Sequence, residues 1–144
     1  MRTEQQMKAK RYLQQAFKIN ELINSKIEEL KELRVLSESL PSTDFSRERV
    51  QKTKSHEAKF TKYVNSMVDL EKKIDEEMVQ LMELKMEIRE KIYQVENPNR
   101  RLVLLYRYIN FMKWEEIADQ MNYSIKQLHR IHNAALTDIS AFIS

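Results

Sequence analysis

Five side chains able to read base edges or grip phosphate fall within a short stretch near the C-terminal end: Lys126, Gln127, His129, Arg130 and Asn133. Basic side chains pair with the acceptors of guanine, carboxamides pair bidentately with adenine, and all of them can reach backbone oxygens. At helical spacing they share the outer face of a helix. No acid interrupts that face, although the chain holds 22 Asp and Glu. A merely solvated face would mix both signs. The chemistry suggested is recognition of a duplex, with no bond made or broken.

Other groupings suggest less. His129 and His132 are three apart, a spacing that can chelate a metal, but no Asp or Glu lies near enough in sequence to complete a site. Both histidines are expected at the DNA face or simply exposed, and neither metal nor cofactor is expected. The carboxylates of LEKKIDEEM read as a solvated helix face. No Ser-His-Asp grouping stands out, and no enzymatic activity is expected.

The elements that must hold the basic face follow from the surrounding stretch, WEEIADQMNYSIKQLHRIHN. A helix-turn-helix needs a small residue at the helix crossing, a residue tolerant of the left-handed region in the turn, and apolar residues at fixed offsets. Ala118 is the small residue and Asn122 the turn residue, since asparagine tolerates αL best after glycine. Ile117, Met121, Tyr123, Leu128 and Ile131 fill the interior positions, and Ser124 is the N-cap of the second helix. Ser124 and Lys113 are added as phosphate-contact candidates. Trp114 is expected to pack at the entry of its helix.

The remainder is helical by composition and period. All 144 residues include no glycine and no cysteine. That excludes P-loops, dinucleotide fingerprints, disulfides and thiolate zinc sites. Apolar residues recur at helical spacing at Leu13, Ala16, Ile23, Ile27, Leu30 and Leu33, a stripe interrupted by Asn20, and again every three or four positions from Tyr63 through Met67, Leu70, Ile74, Met78, Leu81, Leu84, Ile88, Ile92 and Val95. The expected fold is all-α: a long antiparallel, coiled-coil-like hairpin over residues 1–96, then a small three-helix domain over 97–144. The hairpin comprises a helix over about 3–38, a polar loop over about 39–57 and a helix over about 58–96. The loop contains Pro41 and more basic residues (Arg47, Arg49, Lys52, Lys54) than acidic ones (Asp44, Glu48), with a short helix expected around 47–52. Pro98 ends the long helix and suits the first turn of the next. Methionines such as Met67, Met78, Met82 and Met86 are expected to fill gaps in the core. The polar N-terminus shows no secretory signal, and no apolar run approaches the ~20 residues of a membrane span. A cytoplasmic, nucleoid-associated protein without membrane contact is expected.

The stretch RRLVLLYRYINFMKWEEIADQMNYSIKQLHRIHNAAL resembles region four of bacterial sigma factors. The matching features are Arg107-Tyr108 closing a helix, Glu116-Ile117-Ala118, Ser124, and Ala135-Leu136. With the two long helices ahead of it, nearly the whole chain is similar to small phage-encoded regulators of the ArpU type, carried by phages and prophages of Gram-positive bacteria. The tryptophan before EEIA, the NYS turn and the RIH run followed by AL carry that similarity. The resemblance implies base reading by Ile125, Lys126, His129 and Arg130, and phosphate contact by Arg107. Sigma factors place an arginine followed by a glutamate where this chain has Ile125 and Lys126, and a glycine where it has Asn122. The implied function is sequence-specific control of phage genes, late ones above all, with host RNA polymerase as partner. A homodimer through the long helices is a further option for the arms. The competing readings are a DNA-packaging protein of small-terminase type and a structural coiled-coil protein without DNA binding.

Overall fold

The computed structural model describes residues 2–39 and 49–144, the side chains of 49–53 excepted. Much of the expected polar connection, with Pro41, Asp44, Arg47 and Glu48, lies outside the described residues. Thr3 opens the first helix with a capping box: its hydroxyl accepts from the Gln6 N–H, and the Gln6 side chain accepts from the Thr3 N–H. Helix α1 spans Glu4–Leu13 and α2 spans Gln15–Glu38. Helix α3 spans Arg49–Tyr93, and α4 spans Pro98–Leu104 and passes into a π-helical turn over Leu105–Ile109. Helix α5 spans Trp114–Met121 and α6 spans Ile125–Ser140. The described residues contain no strand. The fold class is all-α.

Two boundaries differ from expectation. The first helix does not run unbroken: it is interrupted at Gln14, whose N–H nevertheless still reaches the Lys10 carbonyl. The third helix begins at Arg49, well before residue 58. Residues 49–57 hold neither proline nor glycine, so the Thr and Ser that resemble a break have only modestly poor propensity, and helix propagates through them. At the other end the N–H groups of Gln94 and Val95 reach the carbonyls of Lys91 and Ile92, which tightens the last turn. Asn97 then caps α4 by accepting from the N–H groups of Asn99 and Arg100, with Pro98 in the first turn.

The chain divides into two compact units, one formed by Met1–Asn20 with Gln80–Ser144, the other by Glu21–Val79. In the unit of residues 21–79, α2 and α3 pair antiparallel, with Lys26 bound to Glu77 and Arg34 to Glu71. Ile23, Leu30, Leu70 and Ile74 form its buried seam. The alternation of three and four places Glu77 between Ile74 and Leu81 as the seam residue. Met78, assigned there from sequence, is 48% exposed. A half-buried ion pair thus occupies a position expected to be apolar.

In the other unit α1 and the first turn of α2 pack with the last turns of α3. Ala9, Leu13, Ala16, Ile88, Ile92 and Val95 share one core with Leu104, Tyr108, Ile109, Ala135, Leu136 and Ile139. The boundary expected at Asn97 therefore separates two elements but not two cores. Met82 and Met86, expected to fill core gaps, are exposed instead.

Candidate nucleic-acid interface

A second, smaller core sits under α5 and α6. Val103, Ile117, Ala118 and Leu128 are buried, with Tyr106, Met112, Trp114, Met121, Tyr123 and Ile131 packed against them. The five interior positions identified from the sequence and the small residue Ala118 are all brought together here. Asn122 adopts the left-handed conformation, φ 57° and ψ 42°, and the Tyr123 N–H reaches back 3.0 Å to the Ala118 carbonyl. Ending α5 in αL lets the chain reverse within three residues, and only a residue with little Cβ penalty does this cheaply. Ser124 then caps α6. Its hydroxyl accepts from the Gln127 N–H at 3.1 Å, while the Gln127 side chain accepts from the Ser124 N–H at 3.1 Å.

The candidate contact residues divide into free and occupied groups. Ile125, Lys126, Gln127 and Arg130 are exposed on the first two turns of α6, and Lys113 is exposed at the start of α5. The carbonyl end of Gln127 is held by the cap, which leaves its amide nitrogen as the end free to donate. Ser124 is exposed, but its hydroxyl serves the helix terminus. His129 is half-buried, its ring 5.1 Å from that of Trp114. Asn133 is half-buried as well, and its Oδ1 accepts from Arg2 Nε at 3.1 Å. Arg107 donates from Nη1 to the Met112 carbonyl at 2.9 Å, and its guanidinium lies 4.6 Å from the centre of the Trp114 ring. One of its donors is thereby engaged, the guanidinium plane is held by the ring, and the rest of the fork remains available.

His132 departs from the expected exposed placement. It is fully buried, 2.6 Å from the Tyr108 hydroxyl through Nε2, with Trp114 set edge-on against it at 4.6 Å. Its Nδ1 has no hydrogen-bond partner among the described residues. Burial, with the charges of Arg2, Lys10, His129 and Arg107 nearby, pushes the imidazole down to about 3, so it is neutral at physiological pH. Burial likewise raises the Tyr108 phenol above its ordinary value. Spacing does put position 132 on the apolar face, four residues after Leu128 and three and four before Ala135 and Leu136; that an imidazole there is enclosed follows from the packing of Tyr108 and Trp114 around it. Among the described residues no group of three or more His, Cys, Asp or Glu could hold a metal ion.

Two backbone features lie between α4 and α5, and neither is visible in the sequence. The π-helical turn adds a residue to the helical circuit, with the Asn110 N–H bound to the Leu105 carbonyl at 3.0 Å. It lies between the α4 helix and the loop to α5 and carries both Arg107, which faces Trp114, and Tyr108, which faces His132. Phe111 then takes φ 56°, a strained value for a bulky residue. Edge contact with Phe17 and the Lys85 ammonium 4.5 Å above its ring hold it there.

No helix among the described residues is long and apolar enough to cross a membrane. No curated protein and no solved structure is significantly similar to the chain. Residues 39–140 match the model of a family described as "Protein of unknown function (DUF1492)". That match takes in α3 to α6, leaves α1 and α2 outside, and covers more than half of the sequence: the chain belongs to the DUF1492 family.

Proposed function

We propose that the protein is a non-enzymatic, sequence-specific DNA-binding regulator of transcription that inserts α6 into the major groove. The observation that carries this reading is the exposed, acid-free face of Lys126, Gln127 and Arg130 on the first two turns of α6, presented by a capped helix behind an αL turn. Arg130 and Lys126 are the base-reading cations, Gln127 reads through its amide nitrogen, and Lys113 and Arg107 hold phosphates. Ile125, 42% exposed, is suited to a thymine methyl.

The resemblance to ArpU-type regulators and to sigma region four supports a role in phage or prophage genes, late ones above all, with host RNA polymerase as the partner at the bacterial nucleoid. Residues 56–96 carry seven basic against ten acidic side chains, whereas 97–144 carry six basic against four acidic. The acidic stretch would be repelled by the duplex and suits a protein partner. Exposed apolar side chains such as Leu22, Val35 and Val68 support the same assignment.

The test is selection from a pool of genomic duplex fragments by the full-length protein, followed by sequencing. A recurrent motif near phage promoters is expected, with transcription by host polymerase altered at those promoters. A pool recovered without any enriched motif would sink sequence-specific regulation. A closed ring by light scattering would favour the packaging reading, and no duplex affinity at all would favour the structural one.

A further inference from the structure

Resting on that DNA-binding reading, we infer that the N-terminal segment completes the interface: Arg2, just ahead of α1, and Lys10 of α1 join Arg107 in a second phosphate-binding site beside α6, taking a phosphodiester of the duplex backbone. The geometry places α1 directly against the recognition helix. Arg2 Nε donates to Asn133 Oδ1 at 3.1 Å, and the Gln6 amide donates to the Asn133 carbonyl at 3.1 Å and to the Thr137 hydroxyl at 2.8 Å. Ala9 and Leu13 pack into the same core as Ala135, Leu136 and Ile139. Asn133 thus holds Arg2 in place, and the cation carries the contact that a free asparagine would have offered. The distal nitrogens of Arg2 make no hydrogen bond or ion pair among the described residues.

The charges gathered here lack a counter-charge. Among the described residues none of Arg2, Lys10 and Arg107 is ion-paired with a carboxylate; the nearby Arg100 has Asp138 and Lys91 has Glu87. Lys10 is held below the usual lysine range, first by burial and then by Arg2 and Arg107. With no carboxylate paired to any of the three, an anion placed among them meets positive charge that the protein itself leaves unneutralised. A phosphodiester fits because Arg107 and Arg2 present planar forks, which match two phosphate oxygens at once. Sequence alone hides the site, since Arg2 and Asn133 are 131 residues apart.

The test measures binding of the full-length protein to duplex DNA over a range of salt. Each lost phosphate contact lowers the slope of log affinity against log salt by about 0.9. The R2Q/K10Q double variant should therefore lose about 1.8 in slope on specific and non-specific duplexes alike, with the sequence preference unchanged. R2K/K10R, which keeps both charges, should restore the wild-type slope. If the double variant melts early, K10Q alone serves, because Lys10 makes no side-chain hydrogen bond among the described residues; its slope should fall by about 0.9. Wild-type binding with an unchanged slope in K10Q and R2Q/K10Q overturns this site while leaving the recognition helix standing. A wild-type protein that binds no duplex overturns both.

Discussion

The unit of residues 1–20 with 80–144 and the unit of residues 21–79 share helix α3, yet they bury their apolar residues to different depths. The large side chains with essentially no exposure, such as Leu13, Ile88, Leu104, Leu128 and Leu136, all belong to the first. In the second, Ile23, Leu30, Leu70 and Ile74 keep 5–8% of their surface. Two antiparallel helices present only a seam to each other, whereas the first unit closes α1 and the end of α3 around α4 and α6. Enclosure from several sides lets a helix bury a histidine without losing packing around it. Helix α6 is therefore mounted on the more deeply buried half, and part of its platform comes from the opposite end of the sequence.

Cutting a leucine from each core should separate the two units most clearly. Leu136→Ala, at a site with no exposure, should cost about 2–5 kcal/mol in denaturant unfolding. Leu70→Ala should cost nearer the ~1 kcal/mol typical of point changes, because solvent already reaches the seam and can follow its collapse. Equal losses would show the two units to be one cooperative core of uniform density. Deleting residues 1–20 should act like the first change, since it strips α1 from Leu136 and Ile139, and DNA binding should go with the fold.

Acid should find the same difference. The folded value of His132, about 3, lies below the ~6.5 of an unfolded histidine, so the native state binds fewer protons. Its contribution is complete above pH 6.5 and is lost as pH falls toward 3. One proton sets the limit at about 1.4 kcal/mol per pH unit. Between pH 6.5 and 4.5 the wild type should lose stability faster than His132→Gln, as read by urea midpoints at each pH. The charged and titratable groups around His132 are Arg2 ahead of α1, Lys10 from α1, Arg107 from the π turn and His129 from α6. Parallel curves for wild type and variant would mean that the imidazole is accessible to water.

How far the sequence reveals this architecture depends on the range of the interaction. The turn at Asn122, the cap at Ser124, the small residue at Ala118 and the start of α4 at Pro98 are decided within four residues, and the structure has each where the local chemistry places it. The packing of α1 on α6, the burial of His132, the π-helical turn and the strained Phe111 depend on contacts between distant segments. A periodic stripe likewise cannot distinguish Met78 from Glu77 in the seam, because both fit a three-or-four spacing and only the partner helix, through Lys26, selects between them.

Function should separate from stability on the outer face of α6. Arg130→Ala removes an exposed side chain that touches neither core, so unfolding should shift by less than ~0.5 kcal/mol. Specific DNA affinity should fall by about 1–3 kcal/mol, with preference relaxed at one base pair. A uniform loss across all sequences would make Arg130 a phosphate contact.

The smallest effects are expected in the two ion pairs of the 21–79 unit, and their ranking tests what holds it together. Lys26 and Glu77 are each 23% exposed, and Arg34 and Glu71 are 56% and 53% exposed. An exposed pair gives up side-chain entropy and is screened by salt, so the Arg34–Glu71 coupling in a double-mutant cycle should be about 0.2–0.5 kcal/mol and vanish in high salt. The Lys26–Glu77 pair sits in the seam, where Glu77 Oε2 is buried without a partner. Lys26→Ala would leave that carboxylate in a poorly solvated position with its one counter-charge gone. The coupling should exceed that of the exterior pair, at about 1 kcal/mol, and persist in salt. Replacing both partners by Met and Leu should recover most of the loss, because the seam position is apolar by period on either side. If it instead leaves stability unchanged but the protein associates or unfolds in two steps, the pair's role is to fix the register of α2 against α3. The same variant measured by light scattering distinguishes the two outcomes.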